Sequence, residues 1–256
     1  MQVSHAYLQS ILPDTHPFDR IAPHKIRSTM EQYFAMSQAF PYLQSGSQKD
    51  IFFHYLNNNI QVDSELELTT VVGNFLSWDE TGGLYVTLRK KMRGISDILN
   101  TDDNFHANLL KKDLSAIFGC QVSPDYSDMT KEYLINLYKS LSSIDHIERC
   151  ASMVAFEVHA ERMINSLWTS LDKIFDHFDK DDLTYFKSHV GGDDPAEAYH
   201  VKMTEELIER IANTDEKRSK FIDKFLQSYD LNSGWCAAIS KSETEDVKPP
   251  SEEKYI

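Results

Sequence analysis

The sequence predicts an all-α protein, on three observations. Its 256 residues include only 9 Gly and 8 Pro, too few for the many tight turns of a sandwich or barrel. Apolar residues recur at intervals of three and four through most of the chain. Short polar loops with capping residues separate these periodic stretches. About seven helices joined by short loops imply a bundle.

The elements follow in order. Residues 1–24 carry Pro13, Pro17 and Pro23 among polar residues and read as an irregular arm with one short helix near Ala6 to Leu12, free to wrap the body. From Lys25 to Phe40, Ile26, Met30, Tyr33, Phe34 and Phe40 keep helical spacing until Pro41 stops the pattern, and a further helix covers Lys49 to Asn58. Asp63 or Ser64 caps a longer helix that ends before Gly82-Gly83. Leu84 to Ile98 reads as a weaker helix or connector. Asp102 or Asp103 then opens a helix through Phe118, closed by Gly119.

Thr130 to Leu141 is a short helix. Ile144 to Ile174 is the longest periodic segment, its stripe traced by Met153, Phe156, Ala160, Ile164, Leu167, Trp168 and Leu171, and is expected to be central. Asp181 or Asp182 caps a helix to His189, Gly191-Gly192 interrupts it, and Asp194-Pro195 restarts a helix to about Ala212. A last helix covers Asp215 to Tyr229. The bundle domain thus spans 25–239, and residues 240–256 form an acidic tail with almost no apolar content, expected to be disordered.

Composition bounds the function. With 26 Lys plus Arg against 40 Asp plus Glu and a net charge of -14, nucleic acid and anionic membranes are not expected partners. Hydrophobic residues at 41% suffice for a full core. Cys120, Cys150 and Cys236 form no Cys-x-x-Cys pair, which fits a reducing compartment. No apolar run approaches the roughly 20 residues of a membrane span, and the start lacks the basic region and apolar stretch of a signal peptide. The expected location is the cytoplasm.

Ionisable residues on apolar helix faces carry the chemistry, because a buried carboxylate or imidazole is costly unless paired or metal-bound. Leu66, Thr69, Gly73, Leu76 and Glu80 follow three-four steps that turn Glu80 inward, although a helix end pointing to solvent explains it as well. His106 shares a face with Leu109, Leu110, Asp113 and Ile117; a hydrogen-bonded core histidine is the plainer alternative. Glu157 and Glu161 lie beside Ile164 and Trp168 on the long helix, while Arg162 points elsewhere; a local ion pair with His159 or Arg162 is the alternative. His189, Asp193, Glu197 and His200 fall within twelve residues, and Glu197-x-x-His200 has the spacing that carboxylate-bridged dimetal bundles use. A capping box on Asp194 explains Glu197 nearly as well. Carboxylates and imidazoles without thiolate suit iron or manganese, with zinc allowed. A calcium-loop reading of FDHFDKDDLTYF fails for want of the central Gly and closing Glu.

On these stretches, NFLSWDETGG, NFHANLLKKD, MVAFEVHAERMINSLW and YFKSHVGGDDPAEAYH, residues 25 to 212 resemble the heme-oxygenase-like dimetal (di-iron) oxidase and oxygenase family, which includes the chlamydial death-domain-associating protein and its bacterial homologues. The resemblance implies a heme-oxygenase-like bundle of about seven helices and ligands in the order Glu80, His106, Glu157, His189, Asp193 and His200. It implies two iron ions, or manganese, and a reaction that activates dioxygen to oxidise a small organic molecule. It allows a homodimer.

The family's late run is His-x3-Asp-x2-His, whereas here the position seven after His189 is Ala196 and the next histidine is His200. A straight helix would carry His200 about 16 Å along the axis from His189, so a shared site requires a break near Gly191-Gly192 or Asp194-Pro195. Asp193 is the preferred carboxylate of this run, with Glu197 close behind. Tyr185 and Tyr199 flank the run and read as packing residues.

Two other functions compete. A metal-free enzyme resembling thiaminase II would need a nucleophilic cysteine, and none of the three stands in a convincing site beside these acids. An acidic helical interaction module would leave the inward charges without a purpose.

Overall fold

A computed structural model describes residues 3–88, 94–190 and 195–241. The described residues hold helices and no strands. In order these are α1 (His5–Ser10), a 3-10 turn (Pro17–Arg20), α2 (Ile26–Asn57), α3 (Ser64–Glu80), α4 (Gly83–Leu88), α5 (Ile95–Ile98), α6 (Thr101–Asn104) and α7 (His106–Phe118). There follow α8 (Asp128–Leu141), α9 (His146–Ile174), a 3-10 turn (Lys180–Asp182), α10 (Thr184–Val190), α11 (Pro195–Ile211) and α12 (Asp215–Ser240). The seven long ones among them, α2, α3, α7, α8, α9, α11 and α12, make the bundle, and the short ones join or cover it.

Side chains start the helices where the sequence indicates. Asp63 accepts the Leu66 amide at 2.8 Å, Ser127 that of Thr130, Asp145 those of Ile147 and Glu148, and Thr214 that of Lys217. Gly119 ends α7 at φ 62°, in the left-handed region. Helix α9 is the axis of the molecule: it packs on α12, α11, α8, α10 and α3 and is buried along most of its length.

Three helix boundaries differ from expectation. Helix α2 runs through Pro41, which costs about 3 kcal/mol in a helix interior and removes one backbone hydrogen bond. Packing on both sides outweighs that cost: Tyr33, Phe34 and Phe40 are buried before it, Ile51 and Tyr55 after it. The Pro41 carbonyl also accepts the hydroxyls of Ser45 and of Ser77 on α3, both at 2.9 Å. The stretch from Asp102 to Phe118 breaks at Phe105, whose ψ of 122° is extended, so His106 opens α7 instead of lying inside a longer helix. Helix α12 continues past Tyr229 to Ser240 because Asn232, Trp235, Cys236 and Ile239 are buried.

The N-terminal arm is part of the core. Leu8 and Phe18 are fully buried, Leu12 and Ile21 nearly so, and all four join the main apolar cluster. The Phe18 carbonyl accepts the Ser170 hydroxyl of α9 at 2.6 Å. The tail from residue 242 and the Gly191 to Asp194 interruption lie outside the described residues. Among the described residues no helix is long and apolar enough to cross a membrane.

If the arm is core, Phe18→Ala removes a whole buried ring. Urea unfolding should show a loss of about 3–5 kcal/mol; a loss below about 1 kcal/mol would mean that the arm is peripheral.

Candidate metal centre

Helices α3, α9, α10 and α11 supply the carboxylates and imidazoles that line one cavity, and His106 of α7 stands beside them. Helix α3 ends at Glu80, and Gly82, at φ 83°, turns the chain so tightly that a Cβ there would lie 2.2 Å from the Asn104 carbonyl oxygen. This close approach sets the end of α3 against α6 and the first residue of α7, His106. The His106 Nδ1 lies 3.5 Å from Glu80 Oε2. The His189 ring, from α10, stands edge-on to His106 with centroids 4.7 Å apart. One donor atom from each of Glu80, His106 and His189 lies within 4.8 Å of the other two.

His189 is set up as a donor. Its Nδ1–H donates to the Tyr185 carbonyl at 2.7 Å, which leaves the lone pair on Nε2, a buried atom without a hydrogen-bond partner among the described residues. A backbone acceptor on one ring nitrogen is the usual device for orienting a metal-binding imidazole. Burial, with His106 adjacent, lowers the affinity of His189 for a proton, so the ring is neutral and its lone pair is available.

Helix α10 is itself held by the buried Asp113 of α7, whose two carboxylate oxygens accept the amides of Thr184 at 3.1 Å and Tyr185 at 2.8 Å. Asp113 thus caps α10 from another helix and fixes the position of His189. Burial pushes its acid dissociation up to about 6 against the pull of these amides.

His200 belongs to the same cavity although it lies eleven residues beyond His189. α10 stops at Val190 and α11 starts at Pro195, so the two histidines sit on separate helices, as the long spacing requires. His200 Nδ1 is hydrogen-bonded to Glu157 Oε2 at 2.9 Å, and Nε2 lies 2.9 Å from Asp79 Oδ2. Burial works against its charged form, but Glu157 and Asp79 prevail and hold its proton affinity well above that of a free imidazole. Burial likewise raises Asp79, but His200, His106 and His189 outweigh it and hold the carboxyl below its ordinary value.

The cavity has a volume of about 40 Å³, room for roughly three waters. Glu80, Glu157, His189 and His200 form its polar end, and Met36, Phe40, Phe156 and Ile164 its apolar wall, with Phe40 and Phe156 stacked at 3.8 Å. Tyr33 and Tyr185 line it with their hydroxyls 2.6 Å apart, and burial, then Tyr185, pushes the Tyr33 phenol well above its ordinary value. The Ser37 hydroxyl in the wall is buried and has no hydrogen-bond partner among the described residues.

Of the residues that sequence reasoning singled out, Glu80, His106, Glu157, His189 and His200 come together. Asp193 lies outside the described residues, as does the Glu197 side chain. Glu161 is not inward: it is largely exposed at the rim, where it accepts the Gln9 amide at 3.4 Å and faces His5 of the arm. The half-buried Trp168 packs against the core away from the cavity, and Tyr199 is exposed. Sequence reasoning missed Asp79, which is 5% exposed. The steps Val72, Leu76, Asp79 place it on a buried stripe parallel to the one that leads to Glu80.

A second buried group, His16, His159 and Cys236, has donor atoms equally close. It is a poorer metal site. His16 Nδ1 accepts the Phe18 amide, so Nε2 carries the proton, and it faces His159 Nε2 at 3.0 Å. Burial lowers the proton affinity of both rings, His16 to about 4, so the pair is a neutral hydrogen bond between arm and α9. Burial pushes the Cys150 and Cys236 thiols well up and makes them poor nucleophiles, and none of the three cysteines lines the cavity, Cys120 lying exposed beside Arg27.

The fold is similar to that of a CADD-like protein of unknown function from Nostoc punctiforme, with a TM-score of 0.61 over 92% of each chain at 13% identity. No family model and no curated protein matches the chain.

The Asp113 cap has a pH signature. Its folded-state dissociation near 6 exceeds the ordinary 3.8, so the protonated form is favoured on folding; that stability is present below about pH 4 and lost as pH rises through about 6. In urea titrations the stability of the wild type relative to Asp113→Asn should fall between pH 4 and 6. A difference constant over that range would contradict this account.

Proposed function

We propose that the protein is a di-iron oxidoreductase of the heme-oxygenase-like kind, which activates dioxygen to oxidise a small organic molecule. The observation that carries this reading is the convergence of Glu80, His106 and His189, from three helices, with Nε2 of His189 buried and unpartnered among the described residues and its other nitrogen tied to the backbone. The likeness in fold to a CADD-like protein supports it, since the sequence resemblance points to the same group.

The donor set fits the metal. Carboxylates and imidazoles without thiolate suit iron, with manganese the alternative. Glu80, His106 and His189 would hold one ion and the His200 end of the cavity the other. Bound there, the pair supplies open positions for dioxygen and the electrons for its reduction.

This chain's own residues do the rest. Asp113 and the Tyr185 carbonyl orient His189. Phe40, Phe156, Met36 and Ile164 exclude water and offer an apolar wall to the substrate. The Tyr33 and Tyr185 hydroxyls hold a proton between them at the edge of the cavity. A cavity of about 40 Å³ admits dioxygen and a compact part of a substrate, so a larger molecule enters with side-chain movement. A cytoplasmic location without membrane or nucleic-acid partners belongs to the same proposal.

Against the metal-free hydrolase stands the absence of a thiol from the described lining. Against a purely adhesive module stands the cost of gathering six buried or partly buried ionisable groups with no role, Asp79, Glu80, His106, Glu157, His189 and His200.

Protein reconstituted anaerobically with ferrous iron should hold about two ions per chain by elemental analysis and consume oxygen, and Glu80→Ala and His189→Ala should each lose at least one ion. Iron near zero in folded wild type would refute the reading.

A further inference from the structure

The two faces of His200 are not equivalent. Its Nδ1 meets Glu157 Oε2 at 2.9 Å in hydrogen-bond alignment, and its Nε2 meets Asp79 Oδ2 at the same 2.9 Å without that alignment. An imidazole can offer one nitrogen to a metal while the other carries its proton. The Nδ1 side is therefore arranged as a hydrogen bond from ring to carboxylate, the arrangement that orients metal-binding histidines. Without metal the Nε2 side is an ion pair with Asp79 Oδ2, and a metal ion would displace the proton between these two atoms, which already stand at the separation of neighbouring donors on one ion with bonds of about 2.0–2.2 Å.

Asp79 also has the right surroundings. It is 5% exposed, it adjoins Glu80 in sequence, and His200, His106 and His189 all stand near enough to lower its affinity for a proton. Glu157 lines the cavity, and among the described residues its hydrogen bond within the group is to His200 Nδ1. We infer that Asp79 is a metal ligand and that Glu157 is a positioning residue that fixes the tautomer of His200. Asp79 and Glu80, consecutive at the end of α3, then supply carboxylates to the two halves of the site, and no carboxylate from the segment holding Asp193 is required. This inference rests on the proposed metal centre and changes its donor set.

The test uses the full chain, reconstituted anaerobically with ferrous iron and separately with Co(II). Wild type, Asp79→Asn, Glu157→Gln and Asp193→Asn are compared by metal content, metal affinity and the Co(II) visible spectrum. Asp79→Asn should lose at least one ion per chain. Glu157→Gln, whose amide oxygen still accepts from Nδ1–H, should keep wild-type stoichiometry and bind no more than about 10–100-fold more weakly. Asp193→Asn should be indistinguishable from wild type.

An iron-loaded wild type with Asp79→Asn unchanged in stoichiometry and Co(II) spectrum would overturn the inference alone, as would loss of an ion from Glu157→Gln or Asp193→Asn. Wild type that binds neither metal would overturn it together with the proposed function. If Asp79→Asn does not fold, Asp79→Glu serves: it should bind metal with an altered Co(II) spectrum, and an unchanged spectrum would again count against Asp79 as a ligand.

Discussion

An imidazole clamped between two buried carboxylates organises this molecule. His200 on α11 reaches Asp79 on α3 and Glu157 on α9, so one side chain ties three helices together at the centre of the bundle. Such a group is expensive: removing charges from water costs several kcal/mol each, and well-packed apolar residues would give a stability as good or better. A purely structural selection would have no reason to retain it. Adding Glu80, His106 and His189 beside it compounds the cost, which coordination of the proposed metal would offset.

Much of the remaining fold serves to bring these groups together. Gly82 lets the end of α3 close against the chain that leads into His106. Asp113 anchors the start of α10 one turn before His189. The arm, with Phe18 wedged on α9 and a neutral His16–His159 bond beneath it, closes the same helix that carries Glu157. Each device places a donor on a rigid element, the condition for a site that holds its geometry before a ligand arrives.

Element type was largely legible in the sequence, because three-four periodicity and side-chain caps act locally: Asp63, Ser127, Asp145 and Gly119 begin or end helices for reasons contained in four or five residues. Tertiary effects were not. Pro41 reads as a stop until the packing on both sides of it is known, and the break at Phe105 has no glycine or proline to announce it. In the site, an inward carboxylate showed as a violation of an apolar stripe, which exposed Glu80 and Glu157. Asp79 lay on a parallel stripe and was passed over, because two adjacent acids at a helix end resemble a solvated terminus. The histidines of α10 and α11 could be joined only by supposing a break between them.

The central claim is that the donors of α3, α7, α10 and α11 hold metal. Anomalous diffraction at the iron edge from crystals of anaerobically iron-loaded protein tests it most directly. The account predicts peaks between Glu80, His106 and His189 and beside Asp79 and His200. A crystal without a peak there, or with iron at His16, His159 and Cys236 instead, would contradict it.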